Sequence, residues 1–418
     1  MTLGFLALRK GFLKVMGALI QAALDRGHDV VLLWDPVEAK RGERLTRAEL
    51  GAWRGARVVE TDRRAPLAPV LRGAGVAALI GPRLHHILQA FGHDAEVVAL
   101  AAAGIRLYSV DYGLDTAFTD PAGYRAVDVT FYATEWQREL HWRVRAAGFA
   151  EVGDRTVLLA RSAVVGSTML DQLAVVDRAA VRKRYGLDDR PVVLCLSLKM
   201  NVPDDWRPPG SRRVWRRRLL WGDGPPLLRA ALALAVGRAR LVPGIVRSND
   251  YRDLVEAGRR LCARSGATLV VKSREKNGDP AYLRRLADVF VVDESAYPYT
   301  SMELMAVADL CLHFQSAGVL EAAFAGVPSL SVRIPQDHLR GHPTYDEFYG
   351  ARPDTLQNFP GVVWSVTPRE AVARLDDGGL EDFRTDPGRR RAYVDRFVGS
   401  DDTRSSDRVL DVIEQRMG

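Results

Sequence analysis

Residues 308–335 have the pattern of one strand, loop, helix and strand in succession. A short apolar run at 310–312 is typical of a buried strand, and small residues break it at 315–318. The next segment, 319–325, favours a helix that Gly326 ends, and a second apolar run reaches Ile334. Small residues before a helix leave its first backbone N–H groups accessible, and these groups attract anions. The stretch therefore predicts a parallel sheet with a ligand-binding edge.

The same alternation of strands and helices occurs in both halves of the chain. A strand at 3–8, a helix at 12–26 and a strand at 30–34 open the first half, and similar units continue to residue 147. The second half begins with a strand at 192–197 and resumes with a helix at 251–265 and a strand at 268–272. Right-handed strand–helix–strand units build parallel sheets covered on both faces. The sequence therefore predicts two doubly wound α/β domains.

Composition indicates a globular protein with more than one domain. The chain has 418 residues, 47% of them apolar and 27% charged, with a formal net charge of +7. Its three cysteines lie in apolar runs without the spacing of a zinc or redox motif, so buried reduced thiols are expected. Arg9, Lys10 and Lys14 interrupt the apolar N-terminal run, which argues against a signal peptide. We therefore expect a cytoplasmic protein that uses no metal.

One segment, residues 199–248, does not follow the alternation. Six arginines between 207 and 218 stand beside Trp206, Trp215 and Trp221. A solvated insertion whose tryptophans pack on their own domain would have this composition, and so would a contact with an anionic membrane surface. No nucleic-acid-binding module accompanies the run, so nucleic acid is not an expected partner. The segment thus predicts a basic insertion that could place the protein at the inner face of a membrane.

Four segments carry a resemblance to a known family. Gly166 and Asp171, ahead of a basic helix, resemble a G-x-x-x-x-D junction, and residues 269–272 resemble a hydrophobic strand that ends in lysine. Residues 316–328 match S-x-x-x-x-E-A-x-x-x-G-x-P, and residues 401–409 resemble a C-terminal segment before a last helix. Together they resemble bacterial capsule and surface-polysaccharide synthesis proteins and CDP-glycerol glycerophosphotransferases, which belong to the GT-B glycosyltransferases. The resemblance covers the junction and most of the second half.

This resemblance implies a GT-B-like fold of two Rossmann-like domains that face a cleft. The expected boundaries are an acceptor domain at 1–165, a linker at 166–190 and a nucleotide-donor domain at 191–388, which contains the basic insertion. Residues 389–418 would form a helical segment that crosses back to the first domain. The chain departs from the family at Arg274 and Glu275, because the family has Lys-x-His-Pro where this chain has Lys272-Ser273-Arg274-Glu275. It also departs at Asp111, which stands where some members have Gln-His-Gly.

The donor side of the expected cleft is drawn from the second half. Glu321 is predicted to accept hydrogen bonds from ribose or sugar hydroxyls, although a glutamate in a first helical turn also favours the helix dipole. Two tyrosines could flank a nucleobase or simply pack. The predicted donor-binding residues are Ser197, Arg274, Tyr297, Tyr299, Ser316, Ala317, Gly318 and Glu321.

The predicted catalytic residues are Asp111 and Lys272. Asp111 follows a strand of the first half and could act as general base, although an aspartate there is also a common turn residue. Lys272 ends a strand and could neutralise a leaving diphosphate, or be a solvated cation. Lys10, Gly11 and Glu135 are the candidates for the acceptor side. No cofactor is expected, because a UDP-, GDP- or CDP-linked donor would be the substrate.

The sequence thus predicts a metal-independent transferase. It would move a sugar or polyol-phosphate from a nucleotide-activated donor to a glycan or lipid-linked acceptor in surface-polysaccharide synthesis. A non-hydrolysing UDP-sugar 2-epimerase is the main alternative. That family carries a Gly-Gly-x-x-Glu-Glu run where this chain has Ala317, Gly318 and a single glutamate. A catalytically inactive nucleotide-sugar-binding protein is the third interpretation.

Overall fold

The computed structural model contains two parallel β-sheets with helices on both faces. It describes residues 1–36, 44–62, 65–84, 88, 93–110, 127–148, 155–197, 238–273, 281–292, 294–334, 345–350 and 352–418. Every strand pair in both sheets is parallel. The two doubly wound sheets confirm the predicted fold class.

Sheet 1 has seven strands and belongs to the first half of the chain. Its order is β3-β2-β1-β4-β5-β6-β7, so the direction of strand progression reverses beside β1. The strands are β1 (Thr2–Leu6), β2 (Asp29–Trp34), β3 (Arg57–Glu60), β4 (Ala78–Pro82), β5 (Arg106–Val110), β6 (Val129–Tyr132) and β7 (Ser162–Val164).

Sheet 2 has six strands and belongs to the second half. Its order is β10-β9-β8-β11-β12-β13, with the reversal beside β8. The strands are β8 (Val192–Leu196), β9 (Thr268–Lys272), β10 (Val289–Val291), β11 (Leu310–His313), β12 (Ser329–Val332) and β13 (Val363–Val366).

Helices cover both faces of each sheet. Those of the first half are α1 (Lys10–Asp25), α2 (Arg47–Leu50), α3 (Leu67–Gly73), α4 (His93–Ala102), α5 (Glu135–Gly148) and α6 (Arg155–Ala160). The linker contributes a 3₁₀ turn (Leu170–Val175) and α7 (Arg178–Tyr185). The second half adds α8 (Arg238–Ser265), α9 (Ala281–Leu286), α10 (Thr300–Val307), α11 (Gly318–Ala325), α12 (Tyr345–Tyr349), α13 (Pro368–Asp377), α14 (Pro387–Phe397) and α15 (Ser405–Met417).

Helix α1 is central to the first domain because it packs on nearly all sides. Nine of its sixteen residues are buried, among them Phe12, Met16 and Ile20. Its outer side is covered by α15, whose Val409 and Ile413 belong to the same apolar core as sheet 1. The last helix of the chain therefore completes the core of the first half.

Several elements differ from the sequence prediction. The short edge strands β7 and β13 were not predicted, and α8 begins at Arg238 rather than at residue 251. Residues 238–248 of the predicted basic insertion are thus helical, and residues 199–237 lie outside the described residues. The domain boundaries stay a prediction, although the strands of sheet 1 end at Val164 and those of sheet 2 begin at Val192. No described helix is long and apolar enough to cross a lipid bilayer.

Candidate functional site

The reversal points of the two sheets face each other. In doubly wound sheets, ligands bind in the crevice at the carboxyl ends of the strands, where the strand order reverses. At this position in sheet 1 the chain leaves β1 and enters α1, and in sheet 2 it leaves β11 and enters α11. An ion pair between Lys14 of α1 and Glu321 of α11 joins these two places. The cleft edge, defined here as the carboxyl ends of β10, β9, β8 and β11, is the candidate site.

Glu321 is the most deeply buried carboxylate of this site. The residue is 2% exposed, whereas the side chain of Lys14 is 23% exposed. Oε1 of Glu321 accepts a hydrogen bond from Nζ of Lys14. Oε2 is also buried, and no described residue donates a hydrogen bond to it. Because an ionised carboxylate accepts through both oxygens, Oε2 can receive a hydroxyl group of a ligand.

The loop between β11 and α11 is held in a constrained shape. Gln315 has a φ of 44°, in the left-handed region that non-glycine residues rarely adopt. The backbone N–H of Ser316 donates to Nδ1 of His313 at 3.1 Å, and its carbonyl accepts from Nε2 of Gln357 at 3.0 Å. Such strain persists where the surroundings fix it, which is common at ligand sites.

The predicted phosphate-facing groups of this loop already contact one another. The Ser316 hydroxyl accepts the N–H of Gly318 at 3.2 Å. Gly318 packs so closely on β8 that a Cβ there would lie 2.6 Å from Leu196 Cδ1. A phosphate would therefore have to exchange with the Ser316 hydroxyl to reach the Gly318 amide. Binding of phosphate by Ser316, Ala317 and Gly318 stays a prediction.

Lys272 is paired with a carboxylate that the sequence analysis did not identify. Its Nζ lies 2.8 Å from Oε1 of Glu294, in the loop after β10, and its side chain is only 5% exposed. Lys10 approaches the same loop from α1, because its Nζ donates to the Glu294 carbonyl at 3.0 Å and lies 2.6 Å from Oε1 of Glu49. Burial alone would raise the pKa of Glu49, but hydrogen bonds from Lys10 and Thr46 outweigh it and lower that pKa. The predicted role of Lys272 toward a diphosphate stays a prediction.

Ser197 lies between these two ion pairs at the end of β8. Its backbone N–H donates to the carbonyl of Lys272 at 3.0 Å, and the residue is 3% exposed. Its hydroxyl is buried, and no hydrogen-bond partner for it exists among the described residues. The predicted donor residue Ser197 is thus brought to the cleft edge with a polar atom that a ligand can use.

The two predicted tyrosines lie at the contact between the halves. The Tyr297 ring packs on Trp53 with centroids 5.3 Å apart, and a Cβ at Gly17 of α1 would lie 2.7 Å from it. Burial raises the pKa of Tyr297 to about 12, and nearby carboxylates add to the shift. The Tyr299 ring centroid lies 5.3 Å from Nζ of Lys14. Tyr299 therefore lies beside the ion pair of Lys14 and Glu321, while Tyr297 joins the two halves.

Not all predicted acceptor-side residues come together. Glu135 is paired with Arg138 on its own helix, and its side chain is 64% exposed, outside the contacts described above. Gly11 has open space where a side chain would project. Asp111 and Arg274 lie outside the described residues. Of the acceptor-side candidates, only Lys10 contacts a residue of the cleft edge.

The junction motif and the C-terminal segment of the resemblance bind each other instead of lining the cleft. The Asp171 carboxylate accepts the backbone N–H groups of Ser405 at 3.2 Å and Ser406 at 2.6 Å, at the start of α15. Gly166 has a φ of 88°, and any Cβ there would overlap the Ser405 hydroxyl. These residues therefore fasten the last helix to the linker.

The linker also fixes α1 against the second half. Gln172 donates from Nε2 to the Lys14 carbonyl at 2.5 Å and accepts the N–H of Tyr299 at 2.9 Å. Thr168 donates to the Val15 carbonyl at 2.9 Å. These bonds hold Lys14 beside Glu321.

Sequence reasoning missed Lys14, Glu294, Gln172 and Gln357. A signal existed for Lys14, since Lys10 and Lys14 are four residues apart and share one helix face. Glu294 follows a strand at the same edge as Lys272, which was a second signal. No local pattern marks the two glutamines, whose bonds join distant segments. No group of three or more potential metal ligands occurs in the part of the chain that the structure describes.

Comparison with known proteins establishes the fold. No protein-family model and no curated protein sequence matches the chain. Among solved structures, the UDP-GlcNAc 2-epimerase from Methanocaldococcus jannaschii aligns with a TM-score of 0.57 at 13% identity, over 99% of this chain and 100% of that chain. The fold is GT-B-like.

Two further similarities extend over nearly the whole chain. The UDP-GlcNAc 2-epimerase from Neisseria meningitidis bound to UDP-GlcNAc has a TM-score of 0.55 at 12% identity, over 99% of this chain and 100% of that chain. The wall teichoic acid polymerase TagF has a TM-score of 0.56 at 10% identity, over 100% of this chain and 88% of that chain. At such identities the similarity extends to the fold, and the reaction has to be argued from the site.

Proposed function

We propose that this chain is an enzyme that binds a nucleotide-activated sugar or polyol at the cleft edge. One observation carries the proposal: the buried Glu321 presents an unused acceptor oxygen at the reversal point of sheet 2. A ribose or sugar hydroxyl would donate to Oε2, while Lys14 keeps its bond to Oε1. The ligand would therefore add a bond without displacing the existing pair.

The reaction that we propose is transfer to a glycan or lipid-linked acceptor. An acceptor hydroxyl would attack the anomeric carbon, the bond to the nucleoside diphosphate would break, and a base would take the hydroxyl proton. For a polyol-phosphate donor, the attack would fall on phosphorus and the nucleoside monophosphate would leave. Asp111 is the proposed base. The fold of TagF, a wall teichoic acid polymerase, is consistent with such an acceptor.

Epimerisation of a UDP-sugar is the second candidate function. The similarity to two epimerases favours it, one of them solved with UDP-GlcNAc bound. Both candidate functions need the same nucleotide-sugar site. They differ in what happens after binding, since an epimerase returns a UDP-sugar and a transferase releases a free nucleotide.

Binding is tested with matched pairs of ligands. Purified protein is titrated calorimetrically with UDP and UDP-GlcNAc, GDP and GDP-mannose, and CDP and CDP-glycerol. Glu321→Gln should weaken the pair that binds by about tenfold or more, because one charge-assisted hydrogen bond is lost. A wild-type protein that binds none of these ligands would contradict the proposal. Product analysis with the ligand that binds then separates an epimerised sugar from release of free nucleotide.

A further inference from the structure

The cleft edge presents three buried oxygens that lack a hydrogen-bond donor among the described residues. They are Oε2 of Glu321, Oγ of Ser197 and Oε2 of Glu294. Glu321 and Ser197 are at least nine-tenths buried, at 2% and 3% exposure. Leaving a buried acceptor unpaired costs about 1–3 kcal/mol, so such atoms in one crevice are expected to pair with a ligand or with bound water.

The described lysines at this edge are already balanced by carboxylates. Nζ of Lys272 lies 2.8 Å from Oε1 of Glu294, and Nζ of Lys10 lies 2.6 Å from Oε1 of Glu49. With the pair between Lys14 and Glu321, each ammonium faces one carboxylate. These six groups carry no net charge, so they offer little attraction to a diphosphate. The atoms that remain unpaired are hydrogen-bond acceptors, and these suit a ligand with hydroxyl or amide N–H groups.

The two carboxylates stand at opposite ends of the edge. Glu321 follows β11 and Glu294 follows β10, while Lys272 and Ser197 end the two strands between them. Neighbouring strands are about 4.8 Å apart, so the carboxyl ends of β10 and β11 lie about 14 Å apart. A ligand that pairs with both Glu321 and Glu294 therefore needs donor groups at two separate points.

We propose that Glu294 is a second ligand-binding carboxylate and that Lys272 is its positioning residue. The inference rests on the proposed function and deepens it, because it assigns the ribose to Glu321 and the carried sugar or polyol to Glu294. Lys272 holds Oε1 and thereby turns Oε2 toward the hydroxyl groups of that sugar. The substrate class is then a nucleotide linked to a hydroxyl-rich group rather than a nucleotide alone.

Glu294→Gln tests this assignment without changing the shape of the side chain. Lys272 attracts the amide oxygen, so the amide nitrogen takes the place of Oε2 and the acceptor for the sugar hydroxyl is lost. Affinity for the nucleotide sugar that the wild type binds should fall about tenfold or more, and affinity for the matching nucleoside diphosphate should stay within about twofold. The ratio of the two affinities in one protein sample is independent of any loss of folded protein.

Lys272→Met separates the positioning role from direct contact with a diphosphate. If Lys272 acts through Glu294, Lys272→Met should lose affinity for the nucleotide sugar and keep affinity for the nucleoside diphosphate, as Glu294→Gln does. The double variant should then lose no more affinity for the nucleotide sugar than either single variant. Glu303→Gln is the matched control, because Glu303 is a buried carboxylate of the same domain, paired with Arg184 at 2.5 Å and outside the cleft edge. It should leave both affinities unchanged.

The outcomes distinguish this inference from the proposed function. Selective loss of the nucleotide sugar in Glu294→Gln supports it. Equal weakening of both ligands, or none, overturns it and leaves the proposed function standing. Weaker binding of the nucleoside diphosphate by Lys272→Met overturns the positioning role in favour of direct contact with phosphate. If the wild type binds no nucleotide ligand, the proposed function and this inference fail together.

Discussion

The ion pair between Lys14 and Glu321 predicts an unequal cost for removing its two members. Glu321 is 2% exposed and Lys14 has a side chain 23% exposed, so only the lysine can turn toward water. Lys14→Met leaves a carboxylate in the interior without its cation. Glu321→Gln leaves an ammonium that solvent reaches and an amide oxygen that still accepts from it. We expect the lysine substitution to destabilise the protein more.

The magnitude follows from the burial of the pair. Removing one partner of a fully buried ion pair costs about 3–5 kcal/mol, and partial solvent access to Lys14 reduces this to about 2–3 kcal/mol for Lys14→Met. Glu321→Gln should cost about 1 kcal/mol, because the bond from Lys14 is kept but is no longer made to an ionised acceptor. For 418 residues that unfold together, these values correspond to falls in Tm of roughly 2–4 °C and about 1 °C. The double variant removes the unpaired charge and should resemble Glu321→Gln.

Thermal unfolding of the ligand-free protein at neutral pH, followed by calorimetry, measures these differences. Because the pair is largely shielded from solvent, adding salt to about 0.5 M should change them little. A cost for Glu321→Gln equal to or above that of Lys14→Met would refute the reasoning. So would a double variant whose loss equals the sum of the single losses, since the pair would then not be coupled.

Three further predictions concern the linker and the cysteines. Gly166→Ala should destabilise by about 1–3 kcal/mol, because φ is 88° and the Cβ overlaps Ser405, and Gly27→Ala (φ 74°, open space) is the control for strain alone. Burial raises the pKa of Asp171 against the hydrogen bonds that lower it, so the native state binds this proton more tightly than the unfolded state does. The stability that this group contributes therefore falls as the pH rises above about 4. The Tm of Asp171→Asn, measured relative to that of the wild type, should rise between about pH 4 and 7. A relative Tm that falls over this range contradicts the argument. All three cysteines are buried, and burial raises the pKa of Cys262 to about 12, so a thiol reagent at about pH 8 should label none before unfolding and three afterwards.

Local patterns were enough to predict the fold. Apolar runs such as the one at 310–312 and the glycine that ends α11 are short-range signals, and short-range signals decide which segments become strands and helices. The edge strands β7 and β13 were missed because runs of three or four residues are too short to show a clear periodicity. The early start of α8 was missed because Pro243 and Gly244 lie in its first part, and these residues usually interrupt a helix.

The candidate site could be predicted only in part. Sequence reasoning named Glu321, from its place in the helix after a strand and from the family motif, and it named Ser197. The structure brings both residues to the cleft edge. Their partners could not be found in the same way. Lys14 and Glu321 are 307 positions apart, and Lys272 and Glu294 are 22 apart across a helix. The pairing of each lysine with its carboxylate depends on how distant segments are placed in the fold, and local sequence does not encode that placement.

The position of α15 has a consequence for synthesis of the protein on the ribosome. Sheet 1 and α1 are made early, but the apolar side chains of Val409, Leu410 and Ile413 that complete their core come from residues 405–417. Each such side chain contributes about 1.5–3 kcal/mol when buried. The first half is therefore translated long before α15 is available to complete its apolar core. During that interval the outer side of α1 stays uncovered and available to chaperones. A domain whose core came from one continuous stretch of chain would fold without such a wait.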